Sequence, residues 1–333
     1  MGGACSKLTH AYEGITSCEN LLASWKEFRR NKRSKQDVLE FQSHLMHNIL
    51  SLHRDLVTEQ YTHGPYHPFS INDPKPRNIH KATVRDRLLH HAIYRKLYPF
   101  FDRTFIADSY SCREGKGTHR ALDTFRTYAR KVSKNHTRTC WVLKCDIRKF
   151  FASIHHETLY CILRRSIPDK RILWLIERVV GSFHVVPGVG LPLGNLTSQL
   201  FVNIYMNEFD QWAKHTLKTK YYIRYADDFV LMSHDKAHLQ TMLSRFDRFL
   251  HEQLKLTLHP DKVFIKTFAS GVEFLGWVHF PEHRVLRTST KRRMLRRIAI
   301  DADEAVVESY QGLLTHGNTW GLKDRLKRLK GQV

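Results

Sequence analysis

The sequence predicts an α+β fold in which a sheet is covered by helices on one face. Apolar residues recur at helical spacing in several long segments, and short apolar runs that end in acidic or turn-forming residues lie between them. These strands and helices do not follow the regular strand–helix–strand alternation that is typical of a parallel sheet. With 333 residues, of which 42% are hydrophobic, the chain is long enough for a sizeable core and two or three subdomains.

The first half of the chain is predicted to be mainly helical. Two helices are expected between residues 18 and 60, because apolar residues recur at helical spacing on both sides of the basic run 29–33. Prolines in residues 64–76 predict extended loops. A further helix is predicted over residues 85–101, with its apolar residues on one side.

The second half is predicted to mix strands and helices. Residues 141–146 form a strand that ends in Asp146, and residues 221–233 form a strand, a tight turn and a strand. The other elements are predicted from the spacing of apolar residues and from the positions of Gly and Pro, which interrupt helices and strands. They are a mostly helical stretch at 157–180, a hairpin region at 181–194, helices at 196–214 and 236–254, short strands at 263–265 and 274–279, and a basic helical tail from residue 291.

The charge balance indicates a polyanionic partner. Lysine and arginine total 54 against 32 acidic residues, which gives a net charge of +22 spread along the whole chain. A well-solvated surface can also be basic, but an excess of this size is more typical of nucleic-acid binding. Charge alone does not distinguish an RNA template from a DNA template, because both backbones attract the same cations.

Cysteine usage and hydropathy favour a chain that works inside the cell. The six cysteines include no C-x-x-C pair, which is typical of reduced thiols rather than of a zinc site or a disulfide framework. No apolar run approaches the ~20 residues that span a bilayer, and residues 1–20 lack the features of a secretory signal. The opening Met-Gly-Gly-Ala-Cys-Ser does fit the loose N-myristoylation pattern. We expect a cytoplasmic protein without a membrane partner.

Three aspartates carry the predicted chemistry. Asp227 and Asp228 lie at the tip of an apolar strand–turn–strand, which taken alone could be an ordinary aspartate-rich turn. Asp146 ends a separate apolar strand, and two strand ends can meet in one sheet. Three carboxylates at such a place suit two Mg²⁺ ions, which prefer hard oxygen ligands and can activate a hydroxyl and stabilise phosphoryl transfer.

The order of motifs around these aspartates resembles that of reverse transcriptases. Residues 143–151 (Leu-Lys-Cys-Asp-Ile-Arg-Lys-Phe-Phe) resemble motif A, and residues 225–228 (Tyr-Ala-Asp-Asp) resemble motif C. The other motifs follow in family order: fingers motifs at 74–79 and 109–119, motif B at 190–199 (Gly-Leu-Pro-Leu-Gly-Asn-Leu-Thr-Ser-Gln), motif D at 256–262 and motif E at 273–277. Seven ordered motifs between about residues 70 and 280 make a chance match improbable.

This resemblance implies a right-hand polymerase with fingers, palm and thumb, in which helices back an antiparallel palm sheet. It further implies four regions: a helical N-terminal extension over residues 1–60, fingers over 61–140, a palm over 141–280 that includes part of the fingers at about 160–195, and a basic helical thumb over 281–333. Template RNA, a primer or cDNA, and dNTPs are the implied partners.

The resemblance also implies a role for individual residues. Asp146, Asp227 and Asp228 would catalyse the reaction and, with Ile147, hold two Mg²⁺ ions, for which Mn²⁺ could substitute. The residues implied to contact the dNTP are Lys75, Arg77, Phe151, Gly194, Ser198, Gln199 and Lys262, and those implied to grip the primer are Phe274, Leu275 and Gly276. Phe151 would exclude a ribose 2′-hydroxyl unless it is a core aromatic. Lys262 would neutralise or protonate pyrophosphate unless it is an ordinary surface lysine.

Motif B departs from the usual family form. Leu193 stands where glutamine is typical, and Gln199 stands where proline is typical. With residues 109–119, this version resembles the bacterial and phage reverse transcriptases of diversity-generating retroelements, which copy RNA with errors at adenines and have a small basic helical accessory protein as partner. Leu193 is then a fidelity candidate, because losing an amide near the nascent base pair weakens discrimination. The alternatives are a reverse transcriptase of an antiphage defence system, a standalone group-II-like enzyme and a non-catalytic RNA-binding scaffold.

Overall fold

The computed structural model describes residues 7–72, 76–300 and 303–324. The elements of the first half are α1 Tyr12–Thr16, α2 Cys18–Phe28, α3 Gln36–Ser43, α4 Leu45–Val57, β1 His67–Ile71, β2 Arg77–Lys81, α5 Val84–Asp102 and α6 Thr118–Val132. The elements of the second half are β3 Trp141–Asp146, α7 His156–Ser166, α8 Lys170–Gly181, α9 Leu196–Gln211, β4 Tyr222–Tyr225, β5 Asp228–Ser233, α10 Lys236–Leu254, β6 Phe264–Thr267, β7 Val272–Phe274, β8 Trp277–His279, β9 Arg284–Leu286, α11 Thr288–Ile300 and α12 Glu304–Leu314.

The N-terminal region contains four helices where two were expected. The Ser17 side chain accepts a hydrogen bond from the Asn20 backbone N–H at 3.2 Å, which caps α2 and separates it from α1. The second expected helix is interrupted at His44, whose φ of −118° and ψ of 33° are not helical. Val38 on α3 and Ile49 on α4 are nevertheless both buried. The apolar spacing therefore predicted the core positions but not the breaks.

Two further expectations are wrong in detail. Residues 67–71 are not a loop, because β1 pairs antiparallel with β2 in a separate two-stranded ribbon. Pro68 is tolerated there because each strand of such a ribbon is an edge strand. Residues 274–279 are not one strand, since Leu275 and Gly276 adopt positive φ and form the turn between β7 and β8. α6 and β9 were not predicted at all.

A four-stranded antiparallel sheet lies at the centre, with the strand order β4-β5-β3-β6. Leu143 and Cys145 face the larger core, which α9 and α10 help to form. Val142 and Val230 face a second core that includes Phe125 of α6 and the small sheet β7-β8-β9. The predicted helical cover is present on one face, and α6 covers part of the other. Side chains at the end of this sheet are therefore partly shielded from water.

The described residues include no helix that is long and apolar enough to cross a membrane. The five cysteines within these ranges are free thiols. Several sequence features lie outside the described residues: the N-myristoylation pattern, Cys5, Lys75 and the basic residues from 325 onward.

Candidate active site

The register of the central sheet brings the three aspartates together. Asp146 at the end of β3 lies directly opposite Asp228 at the start of β5. Cross-strand partners in an antiparallel ladder project from the same face, so both carboxylates lie on one side of the sheet. Asp227 precedes Asp228 in the turn, and its carbonyl accepts a hydrogen bond from the Ile147 N–H at 3.2 Å. Residues more than 80 positions apart therefore meet at one sheet end.

Two lysines pair with these acids. The Lys262 ammonium donates a hydrogen bond to Asp146 Oδ1 at 2.8 Å. The Lys144 ammonium lies 3.1 Å from Asp228 Oδ2, and its side chain is only 12% exposed. Lys144 was missed in the sequence, although a usable signal was present: it lies two residues before Asp146 in a strand and therefore shares its face. The site thus contains negative charge that cations already neutralise in part.

Burial raises the pKa of the Asp228 carboxyl group. Loss of water around this carboxyl raises its pKa to about 7, and the neighbouring Asp227 and Asp146 act in the same direction, while Lys144 opposes them. One oxygen, Asp228 Oδ1, is buried and has no hydrogen-bond partner. A buried carboxylate oxygen without a partner is costly. An unsatisfied oxygen of this kind is suited to accept a cation.

Asp227 has a raised pKa for related reasons. Burial is the main cause, and the Asp146 carboxylate adds to it. The positive charges of Lys262 and Arg77 oppose the shift. Arg77 is exposed at the start of β2, and its positive charge contributes to the electrostatic surroundings of Asp227.

The chemistry of the acids fits a divalent cation, although a complete ligand set is not assembled. No group of three His, Cys, Asp or Glu side chains that could hold a metal occurs within residues 7–72, 76–300 and 303–324. The acids instead pair with Lys144 and Lys262. Hard carboxylate oxygens, the raised pKa values of two acids and the unpartnered Asp228 Oδ1 are the features that fit Mg²⁺ or Mn²⁺.

Phe151 lies in a short 3-10 turn, Phe150–Ser153, just beyond the Asp146 strand. Phe150 is buried in the core, whereas Phe151 is only partly buried and meets it edge-on at 5.7 Å between ring centroids. The Phe151 carbonyl accepts a hydrogen bond from the Leu191 N–H at 2.8 Å. This bond connects the turn at the end of motif A to the first residues of motif B.

The motif B residues surround the start of α9. The Leu193 carbonyl accepts a hydrogen bond from the His80 N–H of β2 at 3.1 Å, and its side chain is half-buried. Gly194 has a φ of +107°, and a Cβ at this position would lie 2.8 Å from Ile79 Cγ2. Ser198 is buried and Gln199 is half-buried, both in the first turn of α9. The ribbon that carries Arg77 and the motif B loop are thus in direct contact.

The three residues of motif E differ in placement. Phe274 is 1% exposed and stacks on Phe125, with 5.0 Å between ring centroids. Leu275 and Gly276 form the half-buried turn between β7 and β8. Leu275 and Gly276 are therefore partly accessible, whereas Phe274 packs in the core behind the turn. Trp277 is likewise a core residue.

Comparison with known proteins places this geometry in context. The protein family described as "Reverse transcriptase (RNA-dependent DNA polymerase)" matches residues 71–279, more than half of the chain. Protein YkfC of Escherichia coli (strain K12) is 27% identical over 295 residues, covering 75% of each chain. Group II intron-encoded protein LtrA of Lactococcus lactis subsp. cremoris is 21% identical over 314 residues, covering 71% of this chain and 50% of LtrA.

Solved telomerase structures share the fold. Telomerase from Candida albicans in complex with a fragment of telomeric RNA superposes with a TM-score of 0.53 at 11% identity, covering 78% of this chain and 55% of that chain. Apo telomerase from Candida tropicalis gives a TM-score of 0.51 at 10% identity, covering 66% and 48%. The chain therefore spans about half the length of these telomerases and of LtrA. These similarities confirm the predicted α+β right-hand polymerase fold.

Proposed function

Because this chain belongs to the reverse transcriptase family of RNA-directed DNA polymerases, we propose that it transfers nucleotides from dNTPs to a primer 3′-hydroxyl on an RNA template. The observation that carries this proposal is the meeting of Asp146, Asp227 and Asp228 at one end of the central sheet. A protein that only bound nucleic acid would gain nothing from three acids facing a polyanion. A non-catalytic scaffold is therefore the weakest alternative.

Asp146 and Asp227, with the carbonyl of Ile147, are the proposed ligands of two Mg²⁺ ions, and Asp228 is the proposed support. When bound, such ions supply charge stabilisation and lower the pKa of an attacking hydroxyl. Lys144 and Lys262 hold positive charge beside these carboxylates. They reduce the repulsion between the acids when divalent cations are absent.

The dNTP is proposed to lie between the β1–β2 ribbon, motif B and the aspartates. Arg77 would bind the triphosphate, as would Lys75, which lies outside the described residues. Phe151 is proposed to lie under the sugar and to exclude a 2′-hydroxyl. The motif B residues proposed to adjoin the base pair are Gly194, Ser198 and Gln199, where the missing side chain of Gly194 permits close approach.

The nucleic acid is proposed to run from the fingers to the thumb. Residues 61–140 with about 160–195 would form the fingers, residues 141–280 the palm, and residues 281–333 a basic helical thumb. The turn at Leu275 and Gly276, supported by Phe274, is the proposed primer grip. The extension over residues 1–60 is the proposed place for a further RNA or protein contact.

Primer extension tests this activity directly. Purified protein should extend a DNA primer on an RNA template with dNTPs and Mg²⁺, and much less with ribonucleotides. Asp227→Asn should abolish incorporation while leaving RNA binding largely intact, because it removes a metal ligand without adding charge repulsion. Incorporation that survives in Asp227→Asn would refute the assignment of the catalytic acids.

The more specific proposal is mutagenic cDNA synthesis in a diversity-generating retroelement of a bacterium or phage. Its support is the motif B sequence, in which Leu193 and Gln199 replace the usual glutamine and proline. A small basic helical accessory protein would then be the partner. Sequencing of cDNA should show more errors at template adenines than at other bases, and Leu193→Gln should reduce them. Equal error rates at all four bases would reject this subtype.

A second candidate is a standalone group-II-like reverse transcriptase. The similarity to LtrA, a group II intron-encoded protein, favours it. It shares the catalytic residues and differs in lacking adenine-directed errors, so the same sequencing experiment separates the two candidates. A reverse transcriptase of an antiphage defence system is the third possibility. It would be recognised from the neighbouring open reading frames, where a template and variable repeat pair would instead indicate a retroelement.

A further inference from the structure

Arg224 is a fully buried cation directly behind the active-site turn. Its side chain and that of Asp210 on α9 are both 0% exposed, and they form a bidentate ion pair with distances of 2.7 to 2.9 Å. Tyr222 donates a further hydrogen bond to the same carboxylate at 2.7 Å. Arg224 alternates with Ile223 and Tyr225 in β4, so its side chain projects toward α9, away from the Asp146 face.

The remaining donors of this guanidinium connect three segments. Nη1 donates to the Ala226 carbonyl at 3.1 Å and to Asn203 Oδ1 on α9 at 3.3 Å. Nη2 donates to Ser109 Oγ at 3.0 Å. The backbone of Arg224 also forms a parallel bridge to Ser109. These contacts give Ser109 a structural role beside the active-site turn.

The bond to Ala226 bears directly on Asp227. Ala226 has a φ of +56°, a left-handed conformation that is unfavourable for a residue with a Cβ. Its carbonyl belongs to the peptide that precedes Asp227, and Arg224 holds it from behind the sheet. The carbonyl of Asp227 itself is held from the β3 side by the Ile147 N–H. The two carbonyls that flank the Asp227 side chain are therefore fixed from opposite directions.

We propose that Arg224 is a positioning residue for Asp227: its guanidinium holds the strained Ala226 peptide so that the Asp227 carboxylate is presented to a divalent cation. The ion pair with Asp210 satisfies Nε and one donor of Nη2, so the bond from Nη1 to the Ala226 carbonyl is a separate contact with its own effect on the turn. Lysine cannot make both contacts, because its single ammonium group does not carry the separate, coplanar N–H donors with which arginine reaches Asp210 and Ala226 at once. The proposal rests on the proposed function, in which Asp227 binds metal.

Binding of Mn²⁺ alone tests the proposal without reference to turnover. Electron paramagnetic resonance of the full-length protein would give the dissociation constant for Mn²⁺ in the absence of dNTP and nucleic acid. Arg224→Lys should weaken Mn²⁺ binding and slow dNTP incorporation by about 10- to 100-fold, the range seen when a residue that orients a metal ligand is lost. The matched control is Arg87→Lys. Arg87 on α5 is a poorly exposed arginine that pairs with Asp37 at 2.5 Å and donates to the Thr83 carbonyl, and it touches neither the turn nor Ser109.

A paired substitution separates positioning from simple loss of stability. Arg224→Met combined with Asp210→Asn removes both buried charges together and keeps an acceptor for Tyr222, so it leaves no unpaired charge in the core. Thermal melting identifies the temperature range in which each variant is folded. The folded double variant should retain the Mn²⁺ and incorporation defects. Wild-type Mn²⁺ affinity in the folded double variant, or defects in Arg87→Lys as large as those in Arg224→Lys, would overturn the proposal.

The same measurement distinguishes this proposal from the one on which it rests. Asp227→Asn should weaken Mn²⁺ binding at least as strongly as Arg224→Lys. If Asp227→Asn binds Mn²⁺ like the wild type, Asp227 is not a metal ligand. The proposed catalytic role of Asp227 is then rejected, and the positioning role of Arg224 is rejected with it. If Asp227→Asn is defective and Arg224→Lys is not, only the positioning role is rejected.

Discussion

The Lys262 ammonium and the Asp146 carboxylate form a 2.8 Å ion pair across 116 residues of chain. The loop that carries Lys262 is anchored beside it, because the His259 N–H donates to the Asp146 carbonyl at 2.7 Å. The Lys262 side chain is 40% exposed, so it can leave Asp146 without opening the core. We therefore expect the Lys262 ammonium to pair with Asp146 in the absence of substrates and with phosphate when they bind.

Lys262→Gln is expected to slow nucleotide incorporation by about 100-fold at saturating dNTP, which is within the range for loss of a group that donates a proton or neutralises a leaving group. The cause is the loss of positive charge beside the departing pyrophosphate. Single-turnover quenched-flow kinetics on an RNA template measures this rate.

Lys266→Gln is the matched control, since Lys266 is an exposed lysine on β6 that packs over Phe264 and pairs with no acid in the site. Its rate should stay near that of the wild type. Equal effects of the two substitutions would indicate that Lys262 acts only as a surface charge that attracts nucleic acid.

Local pattern predicted much of the fold. The helix expected at residues 236–254 is α10, and the strand expected at residues 141–146 is β3. Their apolar periodicity is strong and their ends carry clear signals, such as Asp235, whose side chain caps α10. The turn at Leu275 was missed because a non-glycine residue with positive φ has no reliable local signature.

The acids of the site and Lys262 were predicted, and strand alternation places Lys144 on the face of Asp146, but the acid with which each lysine pairs could not be predicted. Asp146 ends β3 and Asp228 begins β5, and antiparallel pairing of two such strands brings these ends together. The pairing of Lys144 with Asp228 depends on the register between β3 and β5, which one sequence does not specify. The partner of Arg224 lies on α9, and that contact depends on how the helix packs behind the sheet.

Arg77→Gln is expected to raise the KM for dNTP by about ten-fold, with a smaller effect on kcat. The Arg77 guanidinium opposes the rise in the pKa of Asp227, and its side chain is exposed, so we propose that it is available to the triphosphate. Loss of one charge-assisted contact to phosphate accounts for a change of this size. Steady-state incorporation at varied dNTP concentration measures both constants.

Lys81→Gln on the same ribbon is the control for Arg77. The Lys81 ammonium is paired at 2.7 Å with Asp37 on α3, and unlike Arg77 it is not among the charges that act most on Asp227. Its KM should remain near the wild-type value. A KM for Arg77→Gln that also stays at the wild-type value would remove Arg77 from the dNTP site.

Gly194→Ala is expected to lower kcat/KM for dNTP by at least ten-fold. The residue has a φ of +107°, and the new Cβ would lie 2.8 Å from Ile79 Cγ2, so the motif B loop must shift relative to the ribbon. A displacement of about 1 Å near reacting groups can reduce rates by up to about 100-fold.

Gly188→Ala is the control, because its φ is +73° but an added Cβ meets nothing within 4 Å. Equal losses in both variants would assign the effect to backbone strain rather than to the contact with Ile79.

His90 is expected to make folding stability depend on pH. It is fully buried on α5, its Nδ1 lies 2.5 Å from Thr197 Oγ1 at the start of α9, and its Nε2 lies 3.2 Å from His63 Nε2. Burial, together with the nearby His63, His91 and Arg87, lowers its pKa to about 3. The unfolded chain binds a proton at this histidine below its ordinary pKa of about 6.5, whereas the folded chain does not until far lower pH. The free energy of unfolding should therefore fall as pH drops from 6.5, by about 2 kcal/mol at pH 5 from His90 alone.

His90→Gln tests this linkage, because glutamine cannot titrate but keeps one polar contact to Thr197. Denaturant unfolding at pH 7.5, 6 and 5 should show a variant that is less stable than the wild type at pH 7.5 and that loses less stability on acidification. Some pH dependence should remain, since burial also lowers the pKa of His91 and of His279. His47→Gln on the exposed side of α4 should follow the wild-type curve. Parallel curves for His90→Gln and wild type would show that the His90–Thr197 contact is not what acid disrupts. The motif B helix would then have to be held by other bonds.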